Sequence, residues 1–320
     1  MNPDVAAAVD RLEQEGVLTP AQERLFSRVA RRELVSAQLE VRAALYVGVL
    51  LLTGGIALFV KENHERIGPA AIGLAIGATA AGCLAWAWRN SPPFAWGGTP
   101  ATHAGFDYVL LLGALLVATD LAFLETQLGL LGENWPWHLL VVAALTLLLA
   151  YRFDSKMLLS LALASFAAWR GVSVNLSRVT LGAGDPARLR AEALACGVLF
   201  VVVGVALRRA GRKPHFEDVY VNAGLLLGFG GLLSGVFTTL NWPTWTLLLL
   251  LGAGGTAFVS FRAKRTLPFA QAVLAAYLGL LRAVFSGGGG DVAARMLLAA
   301  VLGCAALAMV FLAHRRMRTP

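Results

Sequence analysis

Charged side chains lodged inside apolar runs are the places where this sequence could do chemistry. Asp120 stands in LLVATDLAFLET, Glu125 follows five residues later, and Arg170 closes the run ending SFAAWRGV. A charge is costly to hold in hydrocarbon, so an ionisable residue there marks a functional site by default. Counted from Tyr108 at 1.5 Å per residue, Asp120 lies about 18 Å along its helix, in the outer half, with Glu125 nearer the surface. An Asp120–Arg170 pair would keep both charges satisfied at one depth. The site reads as a solute or proton site, as an ion pair that fixes packing, or as an Asp120 held protonated by its apolar setting.

Other reactive groups are not arranged for catalysis. His64, His103, His138, His215 and His314 are scattered at the edges of apolar runs, without a metal-binding spacing such as HExxH. Cys83, Cys196 and Cys304 fall inside apolar runs and lack Cys–X–X–Cys or Cys/His spacing, which leaves them as small packing residues. No serine or cysteine sits beside a recognisable base, and Asp120 has no second acid for an aspartyl dyad. GGGG at 287–290 lacks the Lys-Ser/Thr of a phosphate loop and reads as a flexible outer loop. The expectation is a non-enzyme with no cofactor and no bound metal.

The elements that carry these residues are membrane helices. The chain is 58% hydrophobic and 14% charged, with mean hydropathy +0.68; soluble domains carry about 25% charge. A helix crossing about 30 Å of hydrocarbon needs roughly 20 apolar residues. The candidates are Ala43–Val60, Gly68–Trp88, Tyr108–Phe123, Trp137–Tyr151, Met157–Trp169, Ala191–Leu207, Val219–Leu240, Thr244–Phe261, Pro268–Leu281 and Met296–Ala313. None alternates as a barrel strand must. The fold expected is an all-α integral membrane protein of about ten transmembrane helices, with Met157–Trp169 and Pro268–Leu281 notably short.

Basic residues orient it. With ten crossings and a cytosolic N-terminus, 19 of the 27 Lys and Arg fall inside and 8 outside, which the positive-inside bias favours. If the two short runs dip in and return, eight helices cross and the split becomes 16 to 11. The net charge of +8 is then topological, and nucleic acid is not an expected partner. The expected setting is a membrane crossed many times, with both termini cytosolic and the lipid bilayer as the first partner.

An internal echo organises the rest. NWPW at 134–137 returns as NWPTW at 241–245, FDYVLLLGALL from Phe106 resembles FEDVYVNAGLLLG from Phe216, and Arg152 and Arg170 return as Arg262 and Arg282. The landmarks keep one order at a spacing of 107 to 112 residues, which defines repeats. The reading is two parallel four-helix repeats, 68–190 and 191–293, after a cytosolic hairpin and basic helix (1–42) and a first span with its outer loop (43–67). A final span and basic tail (294–320) follow. Re-entrant short runs would instead make the repeats inverted, the commoner transporter plan. Trp135, Trp137, Trp242 and Trp245 read as interface anchors at the outer boundary, with proline in the first turn of the next helix. The second repeat keeps an arginine, Arg282, but has Gly230 where Asp120 would fall. Glycine pairs at Gly73/Gly77, Gly224/Gly228 and Gly231/Gly235 permit close helix contact.

The N-terminus reads VDRLEQEGVLTPAQERLFSRVARREL. Gly16 ends a first helix, and Thr19, Pro20 and Gln22 open a second with capping-box spacing. Together, LEQEGVLTPAQ, the following span and YRFDSKMLLSLALASFAAWRGV resemble a bacterial family of predicted polytopic membrane proteins. The resemblance covers residues 8 to 175 and implies a multi-pass protein of the bacterial cytoplasmic (inner) membrane, with no activity or catalytic residue to carry over. Two functions follow from the residues. The first is a non-enzymatic accessory component that associates, as a homo-oligomer or with a membrane-protein partner, through the hairpin and glycine-rich faces. The second is a permease or channel for a small solute or proton, using Asp120 and Arg170.

Overall fold

The computed structural model describes residues 38–97, 105–129, 137–171, 185–286 and 292–318. Among the described residues the protein is helical throughout, without strands. The helices are α1 (Gln38–Ile67), α2 (Pro69–Arg89), α3 (Phe106–Leu128), α4 (Trp137–Phe153), α5 (Lys156–Trp169), α6 (Pro186–Arg209), α7 (Glu217–Thr238), α8 (Trp242–Arg262), α9 (Thr266–Ser286) and α10 (Val292–Arg318), with a 3-10 turn at Pro214–Phe216. The N-terminal hairpin, Trp135 and the 287–290 glycines lie outside the described residues.

Among the described residues, seven helices are long and apolar enough to cross a membrane: α2, α3, α6, α7 with its leading 3-10 turn, α8, α9 and α10. The apolar parts of α1 (Ala43–Ile56), α4 and α5 are shorter. At 14 residues, α5 is about 21 Å long, less than the roughly 30 Å core. Of the two runs expected to be short, only this one is. The other, α9, has 21 residues, because Thr266 and Leu267 start it ahead of Pro268 and Arg282–Ser286 extend it. Proline is tolerated there because first-turn N–H groups have no intrahelical acceptor.

Contacts divide the chain within α1, after Glu62. In the part that precedes this point, Leu45, Tyr46, Leu50, Leu51 and Leu52 of α1 are exposed, the pattern of a lipid-facing helix.

From Asn63 onward the chain packs as one body of antiparallel neighbours: α2 on α3, α4 on α5, α6 on α7 and α8 on α9. In each quartet the second helix also touches the third and fourth, and α5 meets α7 across the two quartets. The turns that join α4 to α5 and α8 to α9 are alike. Ser155 N–H donates to Ala150 O (3.1 Å), and Arg265 N–H donates to Ser260 O (2.9 Å). Asp154 (φ 61°) and Lys264 (φ 54°) take the same left-handed position. Beyond the turns, α5 buries Leu158, Leu159, Ala162, Leu163 and Ser165, and α9 buries Pro268, Phe269, Ala272, Val273 and Ala275, each 110 residues on.

The tightest seam is α6 on α7. A Cβ at Gly224 would lie 2.7 Å from Gly197 O, and one at Gly204 would lie 2.8 Å from Tyr220 Cβ. A Cβ at Gly231 would meet Leu194 at 2.9 Å, and Gly235 leaves no room for one against Trp245. Gly224 and Gly231 are therefore packed against α6, and Gly235 against Trp245 of α8. Small residues let helices approach where lipid gives no hydrophobic drive between them; elsewhere on α7, a Cβ at Gly228 or Gly230 would meet nothing within 4 Å. The least enclosed of the seven span-length helices is α10, with 11% of its most apolar window buried against 22–33% for the others.

Candidate functional site

On the face where α3 ends and α6 begins, the three expected site residues do not converge. The Asp120 carboxylate lies against α2, where Gly73 and Gly77 make space: their Cβ positions would be 3.6 and 3.1 Å from its oxygens. Asp120 Oδ1 is buried without a hydrogen-bond partner. Glu125 sits in the last turn of α3, and its carbonyl accepts from the N–H of left-handed Gly129 (2.8 Å). Arg170, the C-cap of α5, pairs with Glu192 Oε2 at 2.7 Å, not with Asp120.

The reason is where α6 starts. Asp185 caps it, its Oδ1 accepting from Ala187 N–H (2.9 Å), and Pro186 takes the first turn. Arg190 and Glu192, assigned from hydropathy to the loop and the edge of the span, are thus on the helix. Arg190 lies over the Trp245 ring at 4.7 Å, with Nη1 buried and without a hydrogen-bond partner.

This environment also revises the tryptophans. Trp245 is an internal packing residue between Gly235 and Arg190. Trp137 is half-exposed at the start of α4 and meets Trp169 at 5.8 Å; Trp242 is half-buried at the start of α8.

A second constellation, not foreseen from sequence, lies at the other end of the helices. Lys213 is fully buried, its Nζ donating to Asp154 Oδ1 at 2.9 Å, and His215 Nε2 meets the same oxygen at 2.6 Å. Lys213 N–H donates to Trp96 O (2.8 Å), and Nζ lies 5.1 Å from the Phe94 ring. The segment after α2, the α4–α5 turn and the α6–α7 connection are joined at one ammonium group. Beside it, buried Glu217 accepts from Arg208 (3.2 Å) and Arg265 (2.6 Å). The bond to Glu217 holds the Arg265 guanidinium above its usual range. Tyr151 OH and Tyr220 OH meet at 3.2 Å, and Arg152 bonds Ser91 Oγ and Pro92 O, both at 3.3 Å. A buried charge is tolerated only when paired and hydrogen-bonded, and here each ion has partners on another element.

The sequence did carry one signal for this cluster. Asp154 and Glu217 are acids in connections otherwise rich in Lys and Arg, and a charge tally counts the bases alone. Among the described residues no group of three His, Cys, Asp or Glu is placed to hold a metal. Both constellations join helices or connections by charge.

Among the described residues the chain is helical, with seven span-length apolar helices and ion pairs at helix ends, which makes it a polytopic membrane protein. Residues 10–159, a little under half of the chain, match the model of a family described as predicted membrane protein (DUF2157). The chain is similar to that family through the first quartet as far as Leu159 of α5. No curated protein and no solved structure matches it.

Proposed function

We propose that this protein is a non-enzymatic accessory component of a bacterial cytoplasmic membrane, with both termini in the cytosol, that acts by binding other membrane proteins or copies of itself. The observation that carries this reading is the role of its ion pairs. Arg170–Glu192, Asp154–Lys213–His215 and Glu217 with its two arginines each tie one helix or connection to another, the work of a rigid scaffold. Ten crossings fit the 19-to-8 distribution of basic residues. Two parallel four-helix repeats, α2–α5 and α6–α9, are supported by the matched turns and the matched buried positions of α5 and α9. The N-terminal segment of residues 1–42, expected from sequence to be a cytosolic hairpin and basic helix, supplies the docking element in this reading. Extraction in mild detergent followed by mass measurement is expected to give an oligomer or a stoichiometric companion, lost when residues 1–37 are removed. A bare monomer under every mild condition would overturn the reading.

One observation favours a second function. Asp120 presents a buried, unbonded carboxylate oxygen to two glycines inside the outer half of the spans, which suits a proton or small-solute permease. In proteoliposomes with a pH gradient, Asp120→Asn is then expected to slow proton flux at least about tenfold, as loss of an essential group would. Flux equal to that of the unaltered protein removes Asp120 from any such mechanism.

A further inference from the structure

Between α9 and α10 runs an open apolar groove of about 670 Å³, within the size range of ligand sites. Its walls come from one face of each helix, Thr266 to Tyr277 on α9 and Gly303 to His314 on α10. Each stretch advances eleven residues, about 16 Å at 1.5 Å per residue, close to half of a roughly 30 Å hydrocarbon core. The groove is thus about as long as one leaflet is thick.

Its two ends differ in chemistry. The deep end is closed by Tyr277, whose hydroxyl donates to Ala299 O (3.4 Å) and fits against Gly303, where a Cβ would lie 3.2 Å away. The other end opens beside Thr266 and His314, whose Oγ1 and Nδ1 are 3.4 Å apart. Arg315 is held there, its guanidinium 5.2 Å from the ring of Phe311, which itself lines the groove. Arg316 follows, and Lys264 stands in the α8–α9 turn two residues ahead of Thr266, while Arg265 beside it is engaged by Glu217 and Asp218. Along the groove Leu274, Leu307 and Phe311 are exposed.

An apolar channel one leaflet long that opens among basic side chains complements one kind of molecule. We infer that the α9–α10 groove is a binding site for an anionic phospholipid, with an acyl chain along the groove and the phosphate at His314 and Arg315. Basic residues beside a membrane surface favour anionic headgroups by an amount equal to about a fivefold preference for each group engaged. Tyr277 sets the depth of the chain end, and Gly303 sets the position of Tyr277.

The test is native mass spectrometry of the full-length protein released from nanodiscs of mixed phosphatidylglycerol and phosphatidylcholine. The unaltered protein is expected to retain phosphatidylglycerol at least about fivefold over its share of the bilayer. His314→Gln with Arg315→Gln is expected to abolish that preference while the protein still carries lipid. Leu274→Trp, a lipid-facing change that fills the groove and leaves the charges in place, is expected to reduce retained phosphatidylglycerol about as much. Equal retention of the two lipids by the unaltered protein overturns the inference, and so does a preference that survives both variants. Efficient cross-linking between copies through a cysteine placed at Leu307 would also overturn it, by showing that a second chain covers the groove.

Discussion

The first quartet, α2–α5, and the second, α6–α9, differ most where they correspond best. Pro69 opens α2 and Pro186 opens α6, 117 residues on. That spacing carries Gly73 to Arg190 and Gly77 to Leu194. In the first quartet Gly73 and Gly77 face Asp120 of α3; in the second, Arg190 and Leu194 face Gly231 of α7. The large member of the contact has changed sides while the helix-to-helix approach is kept. Volume-conserving exchanges are those a packed interface tolerates best. The counterpart of Asp120 by contact is accordingly Gly231, one residue beyond the Gly230 that linear spacing indicates. On the two-repeat reading the ionisable groups are placed separately on a common packing pattern: an acid, Asp120, on α3 of one quartet and a base, Arg190, on α6 of the other.

The largest expected effect comes from the paired turns. Asp154 and Lys264 hold the same left-handed backbone position, but Asp154 anchors buried Lys213 whereas Lys264 is exposed. Asp154→Asn preserves a residue that accepts the left-handed conformation and removes the charge. Stranding a buried ammonium in this way costs about 3–5 kcal/mol, measured as a loss of stability against chemical denaturation in detergent. Adding Lys213→Met is expected to recover most of it, since removing both ions is far less costly than removing one. Lys264→Asn is expected to change stability by less than about 0.5 kcal/mol. Equal losses for Asp154→Asn and Lys264→Asn would show that the cluster does not hold the two quartets together.

These contrasts also explain what the sequence could and could not disclose. Each of the ten apolar runs overlaps a described helix, because hydrocarbon demands apolar helices and leaves few alternatives, but only seven of these helices are long and apolar enough to cross. The echo of NWPW, Arg152 and Arg170 was visible because turns and helix ends carry the most distinctive residues. The buried register of α5 against α9 was not, since leucine and alanine repeat too often to align by eye. Partner choice was the least legible feature. Arg170 and Asp120 stand on neighbouring helices of one quartet, yet Glu192 reaches Arg170 first. Seeing that required knowing that Asp185 and Pro186 start α6 before its hydropathy rises. The Asp154–Lys213–His215 cluster joins residues about 60 positions apart, in connections whose geometry no periodicity encodes. The glycine pairs of α7 announced close approach, but the pattern is the same whether the partner helix belongs to this chain or to another.

Those glycines give the finest comparison. Gly113 of α3 and Gly224 of α7 stand 111 residues apart, each facing the preceding helix of its quartet. A Cβ at Gly113 would meet Cys83 Cβ at 3.0 Å and Leu84 Cδ2 at 3.2 Å, contacts that need a shift of a few tenths of an ångström rather than the opening of a backbone seam. At Gly224 the obstacle is the Gly197 carbonyl oxygen at 2.7 Å, with Val201 Cγ2 equally near, and a helix backbone moves only if the whole seam opens. Overpacking typically costs about 1–3 kcal/mol, so Gly224→Ala is expected near the top of that range. Gly113→Ala is expected near the bottom, where the roughly 1 kcal/mol by which alanine exceeds glycine in helix preference nearly cancels it. Gly82, with nothing within 4 Å of its Cβ position, keeps that preference uncancelled, and Gly82→Ala is expected to stabilise by up to about 1 kcal/mol. The order Gly224, Gly113, Gly82 in a detergent unfolding series is the signature of backbone contact, side-chain contact and open space. If Gly224→Ala proved no worse than Gly113→Ala, the α6–α7 seam would be looser than its geometry, and the glycine face of α7 would again be available to a partner.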